Sequence, residues 1–230
     1  MKEILKYSCL IFLYALSHSY LATCFAIDLK IKGYEERYIG LSLSFWGIGV
    51  ILGALLHNLI RKKLNLISTI VYGSLIQFTF SLIFLFDQNT FLVALMQFVM
   101  GMTSAINSLT LESHISSKFR KSSGFYISLF WSSAGLGAIT GSLFIAINGI
   151  NNLTYYLAVL FFLMHFIPIY LFRLSIGKIA IENLSLRLSK KVLGKIKYLL
   201  LCVILFGVCD AGFSSLFPSY LLEENYSDKQ

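Results

Sequence analysis

Seven apolar stretches, each about twenty residues long, follow one another with little between them, and this run constrains the chain more than any other feature. A helix of that length crosses a bilayer core of ~30 Å. The spans fall at Tyr7 to Ile27, Tyr38 to Leu59, Leu66 to Phe86, Phe91 to Ser113, Gly124 to Asn148, Leu153 to Phe172 and Tyr198 to Leu222. With 57% hydrophobic residues, 13% charged residues and a mean hydropathy of +0.76, the chain cannot clothe a water-soluble surface. The expected fold class is an all-α integral membrane protein.

Positive charge orients the spans, because Lys and Arg in short loops stay on the cytoplasmic side. One set of span ends carries Lys2, Lys6, Arg61, Lys62, Lys63, Lys118, Arg120, Lys121 and every basic residue between Arg173 and Lys197, fifteen of the nineteen. The other set holds only Lys30, Lys32, Arg37 and Lys229. A cytoplasmic N-terminus and an external C-terminus follow, in the inner (plasma) membrane. The net charge of +8 is then topological, and nucleic acid is not an expected partner.

Lys2, Lys6 and the run to Leu21-Ala22-Thr23-Cys24 loosely resemble a lipoprotein signal, but the apolar stretch is longer than a signal core and six more spans follow. Cys9, Cys24, Cys202 and Cys209 lie inside the first and seventh spans without C-x-x-C spacing. They read as buried apolar residues, with no disulfide framework and no metal site.

An internal repeat gives the spans their grouping. Gly47-Ile-Gly49-Val-Ile-Leu-Gly53 in span two matches Gly135-Leu-Gly137-Ala-Ile-Thr-Gly141 in span five, 88 residues on, and the same shift lays span one on four and span three on six. Three helices per unit put the second unit in the opposite orientation, a three-plus-three inverted repeat. Small residues four apart also serve close helix packing in general. The glycine pattern is not a dinucleotide fingerprint, which needs a strand-to-helix turn in a soluble fold.

These residues resemble the major facilitator superfamily of secondary transporters, and within it the YcaD-like group. The likeness rests on Tyr38-Ile-Gly40 through Gly47, Gly49 and Gly53, on Gly101-Met-Thr-Ser-Ala105 through Leu111-Glu112-Ser113, and on Gly207, Gly212 and Phe217-Pro218-Ser219-Tyr220. Arg61-Lys62-Lys63 sits where that family's signature loop lies, so Gly53, His57, Arg61, Lys62, Lys63 and Glu112 are the candidate gating residues. The resemblance implies a six-helix bundle with spans one, four and seven lining a central cavity. This sequence departs from the pattern in three places: the signature aspartate is missing between Gly53 and Arg61, Gln97-Phe-Val-Met-Gly101 replaces an R-x-x-x-G segment, and span five lacks the proline-containing motif of drug antiporters.

Ionisable groups inside a bilayer cost at least ~2.5–3.5 kcal/mol on insertion scales, so they mark sites or buried bonds. Asp210 lies at the centre of span seven, ~18 Å from either end at 1.5 Å per residue; it faces substrate or a coupling proton, or it makes a structural bond between helices. His18, flanked by Ser17 and Ser19 in mid-span one, suits proton relay or substrate binding, or packing. His165 in span six, near Pro168 and Tyr170, reads more as packing at the periphery. Gln97, Ser104 and Ser108 recur at helical spacing along span four and, with Asn107, suit a cavity face or helix-to-helix hydrogen bonds. Glu112 and His114 are two apart and point away from each other, which precludes a shared metal or acid–base unit. Glu112 is expected to pair with a basic helix end or to snorkel to the interface.

Residues 1–172 are therefore expected to form the six-helix bundle, 173–197 a basic cytoplasmic linker, and 198–230 a seventh helix with a short external tail. In the linker, Ile176, Ile179, Ile181, Leu184, Leu186 and Leu188 interleave with basic residues, as in an amphipathic segment on the inner membrane face or a charged connector. The expected function is secondary transport of a small solute by alternating access, with a proton as candidate coupling ion and no cofactor. Seven spans suggest a truncated twelve-helix transporter; the alternatives are a half-transporter with a partner chain, a homodimer, or a non-transporting assembly subunit. An enzyme acting on lipids is not expected, since His57, Glu112 and His114 are too few and badly phased.

Overall fold

The computed structural model describes residues 2–86 and 89–172, which form six helices. These are α1 (Lys2–Ile31), α2 (Glu36–Lys63), α3 (Leu66–Ser81, prolonged by a 3-10 turn at Leu82–Leu85), α4 (Thr90–Lys118), α5 (Ser123–Asn148) and α6 (Asn152–Phe172). The linker, the seventh span, Cys202, Cys209 and Asp210 lie outside the described residues.

Local chemistry places the helix ends. α1 stops where Gly33 adopts φ +83, with Gly33 N–H donating to Lys30 O and Tyr34 N–H to Leu29 O, a double closure that a left-handed glycine permits. Asn65 and Asn89 open α3 and α4, their side chains accepting from Ser68 N–H at 2.8 Å and Leu92 N–H at 2.9 Å. Asn151 Oδ1 accepts from Thr154 N–H at the start of α6. Several helices outrun the apolar spans: α1 begins at Lys2 and ends at Ile31, and α4 continues to Lys118. Charged residues beyond the hydrocarbon still keep helical hydrogen bonds.

The two largest helix interfaces pair α2 with α4 and α1 with α5. Each triplet thus lends its middle helix to the first helix of the other. Glycines make both contacts possible. A Cβ at Gly49 or Gly53 would strike the carbonyl oxygens of Phe98 or Met102 on α4, and one at Gly137 or Gly141 would strike those of Phe12 or Leu16 on α1. In both pairs contacts advance together along the two chains, so the helices run parallel, as odd–odd and even–even members of an up-and-down bundle must. The repeated glycine motif and the crossed pairing describe the same pseudo-symmetry, which is the inverted repeat expected from the sequence.

Polarity is arranged inside-out relative to a water-soluble protein. Gln77 and Gln97 are at most 1% exposed, whereas Leu55, Phe125 and Ile147 are 68–80% exposed. Polar side chains are gathered within the bundle while many large apolar ones face outward, as a lipid environment requires. Five of the helices are long and apolar enough to cross a membrane, and α6 holds the shorter apolar stretch Leu153–Ile167.

Candidate functional site

A belt of polar and aromatic side chains crosses the bundle between its two ends. His18 on α1 donates through Nε2 to Gln97 Oε1 on α4 at 3.3 Å. Trp46 of α2 covers the imidazole, ring centres 5.2 Å apart, while Tyr14, one turn earlier on α1, stacks against it at 5.9 Å. Close approach of α2 to α4 sets this geometry, since Gly101 lets the Trp46 backbone seat directly on α4. Gln97 is buried, but His18 and Trp46 keep partial exposure. This end of the belt therefore offers an accessible imidazole, held at one nitrogen, beside an indole face: chemistry suited to a polar or cationic small molecule.

Tyr14 also contacts the ring of His165 on α6, centres 5.6 Å apart. His165 Nε2 lies 3.4 Å from Ser74 Oγ on α3, and that hydroxyl accepts from Asn107 Nδ2 at 3.3 Å. His165 is thus not peripheral as the sequence suggests. α6 packs on both α1 and α3, and its inner side carries the histidine into the interior, 4% exposed.

At the end of the bundle formed by the α1–α2 and α5–α6 connections, Asp28 is buried at 5% exposure. Its carboxylate accepts from Tyr155 Oη at 2.8 Å and pairs with Lys32 Nζ at 3.0 Å. This buried carboxylate lies one residue past the first span as read from hydropathy. The signal that could have found it is the i, i+4 relation of Asp28 to Lys32.

The opposite end holds the candidate gating residues, and the structure separates them. Gly53 serves the α2–α4 contact. His57 Nε2 donates to Thr110 Oγ1 at 3.2 Å, because that hydroxyl already donates to Ile106 O. Arg61 donates forward to Leu64 O just past the end of α2, and Lys62 and Lys63 are exposed. Glu112 accepts a hydrogen bond from the indole N–H of Trp131 on α5, a partner other than the basic helix end expected of it. His114 meets Tyr7 Oη of α1 at 3.0 Å, so Glu112 and His114 do face different helices.

Of the pathway candidates, the structure brings His18 and Gln97 into direct contact and sets Asn107 at the other end of the belt. Ser19 Oγ bonds Ser142 Oγ at 2.7 Å between α1 and α5, and Ser17 turns to its own helix at Leu13 O. Cys24 is buried as expected, but Cys9 is exposed, on the outer side of α1. Sequence reasoning missed Tyr14, Trp46, Ser74 and Gln77. Tyr14 could have been read from its place one turn before His18, and Gln77 as a lone amide inside an apolar helix; the convergence of four helices on them is tertiary. Among the described residues, no group of three or more His, Cys, Asp or Glu is arranged to hold a metal.

The family profile described as Major Facilitator Superfamily matches residues 7–229. Among solved structures, the chain is similar to a bacterial homolog of the human lysosomal transporter Spinster in an inward-facing, unoccupied conformation, with a TM-score of 0.75 and 11% identity. That match covers 95% of this chain and 55% of the other. It is also similar to a peptide transporter, POT, solved as a mutant in complex with sulfate, with a TM-score of 0.67, 13% identity, and coverage of 97% and 46%. The chain spans about half the length of these structures, and the likeness is one of fold. None of the curated proteins compared matches it.

Proposed function

The chain belongs to the Major Facilitator Superfamily, and from that premise we propose that it takes part in moving a small solute across a membrane by alternating access. The observation that carries this reading is the His18–Gln97–Trp46 cluster, which is polar, partly accessible and built between α1, α2 and α4 in the interior of the bundle. Alternating access requires two bundles that rock about a site between them. The bundle of residues 1–172 supplies one wall, and a second bundle supplies the other. The outward sides of α2 and α5 are the natural place for that second bundle. They carry exposed apolar residues such as Ile51, Leu55, Leu136 and Ile139, and nothing among the described residues lies within 4 Å of a Cβ placed at Gly47 or Gly135.

In this reading His18 holds the solute through its imidazole, Gln97 fixes the ring, and Trp46 forms one face of the site. Asp210, by its place in the seventh span, is the proposed coupling group for a proton. Gly53, His57 and Glu112 tie the basic ends of α2, α4 and α5 together as the bundle moves, while Arg61 closes the end of α2. The N-terminus is proposed to be cytoplasmic, in the inner membrane, on the strength of the basic span ends.

Trp46 supplies the test. The chain has two tryptophans, so Trp131→Phe leaves Trp46 as the sole indole, beside His18. Titration of this variant with panels of amino acids, peptides, sugars and organic cations should give a saturable emission change with one chemical class, lost in His18→Ala and Gln97→Ala. A response that survives both substitutions would place the solute elsewhere and overturn the assignment.

A further inference from the structure

We propose that Glu112 and Trp131, where α4 meets α5, form a binding site for an organic ammonium group, separate from the His18–Gln97–Trp46 cluster. Both side chains lie inside their helices rather than at the ends. From Glu112 to Lys118, which ends α4, is ~9 Å of helix, and from Ser123, which opens α5, to Trp131 is ~12 Å. Gln97 stands ~22 Å from Glu112 along α4.

Among the described residues, the polar partner of Glu112 is a neutral one. Its Oε1 accepts from the indole N–H of Trp131, Oε2 has no partner there, and none of the ion pairs includes it. A carboxylate at this depth calls for a countercharge or water. The pair is also reachable, since Glu112 is half-buried and Trp131 is 47% exposed. Helix geometry gives the direction. Asn107 donates to Ser74 on α3, and at ~100° per residue Glu112 is turned ~140° from Asn107, away from that helix. One turn to either side on α4 stand Ser108 and Ser116, both partly exposed, so α4 itself sets no basic side chain beside the carboxylate.

A carboxylate next to an open indole selects its ligand. An ammonium group gains charge pairing from Oε2 and cation–π attraction from the ring at a single point. The indole N–H already holds the carboxylate in place, so the ligand does not have to order it. A bare metal ion is served less well, because the described residues hold no group of three His, Cys, Asp or Glu.

Trp46→Phe leaves Trp131 as the sole indole of the two in the chain, and this variant of the full chain in maltoside micelles tests the proposal. Choline or butylammonium chloride, titrated at constant ionic strength, should change its emission saturably; dimethylbutanol, the neutral isostere of choline, should not. Glu112→Gln keeps an acceptor for the indole N–H and should weaken binding of the cation at least tenfold. No saturable response to either cation, an equal response to the neutral isostere, or full affinity in Glu112→Gln would overturn the proposal. The comparison of choline with its isostere needs no change at Glu112, so it stands even where that variant fails to fold. Failure here is distinct from failure of the His18 assignment, whose signal comes from the other indole. A free solute and a lipid headgroup share this chemistry: choline affinity unchanged by added phosphatidylethanolamine assigns the ammonium to a solute, and competition by the lipid assigns it to a headgroup, the site itself being supported by either result.

Discussion

Asp28 owes its environment to a residue 127 positions away: Tyr155 on α6 donates to it at 2.8 Å, while Lys32 closes the other oxygen from the next turn of the chain. The two contacts differ in worth. Lys32 is partly exposed at the end of the bundle, so its ion pair is screened and contributes under ~1 kcal/mol. The tyrosine bond joins α1 to α6 and is made to a charged group, which is worth about 1.5–3 kcal/mol. Tyr155→Phe should therefore lower the unfolding free energy of the detergent-solubilised chain by that amount, and Lys32→Met by clearly less, as read from thermal denaturation of the two variants. Equal losses would show that the ion pair does more than its exposure allows. Hydropathy could not reveal this arrangement, because it ranks Asp28 as the residue that ends a span. Burial of that residue is decided by α6, far along the chain.

The glycines of α2 and α5 are legible as a repeat but not as a division of labour. In sequence Gly47, Gly49 and Gly53 look alike, as do Gly135, Gly137 and Gly141. Helical geometry turns Gly49, Gly53, Gly137 and Gly141 onto neighbouring backbones and leaves Gly47 and Gly135 facing outward with nothing within 4 Å. Ala at Gly53 or Gly137 would put a methyl group against a backbone carbonyl, and such overpacking costs about 1–3 kcal/mol. Ala at Gly47 or Gly135 meets no such contact and should be neutral or stabilising by up to ~1 kcal/mol, since glycine weakens a helix interior. Melting temperatures of the four variants check the split, and a uniform loss would contradict it. Helix positions themselves were largely legible, because a bilayer imposes long apolar runs. The tightening of the α3 end into a 3-10 turn was not, since Leu82–Leu85 is as apolar as what precedes it. Nor was the meeting of Ser74, Asn107 and His165, each unremarkable on its own helix.

At the scale of the molecule, two triplets exchange their middle helices and enclose polar side chains within an apolar exterior. Its proposed orientation has a direct check. In a background without the native cysteines, Tyr34→Cys between α1 and α2 should react with an impermeant thiol reagent from outside intact cells, and Asn65→Cys between α2 and α3 only after permeabilisation. The reverse pattern would invert the topology inferred from the basic residues. The His18–Gln97–Trp46 cluster is the proposed place where a solute is held during transport. Counterflow of the solute class identified through Trp46 measures this in proteoliposomes that hold the chain together with the second bundle proposed above. Accumulation is expected with the wild type and is expected to be lost in His18→Ala and Gln97→Ala; undiminished counterflow in both variants would show that the solute is held elsewhere.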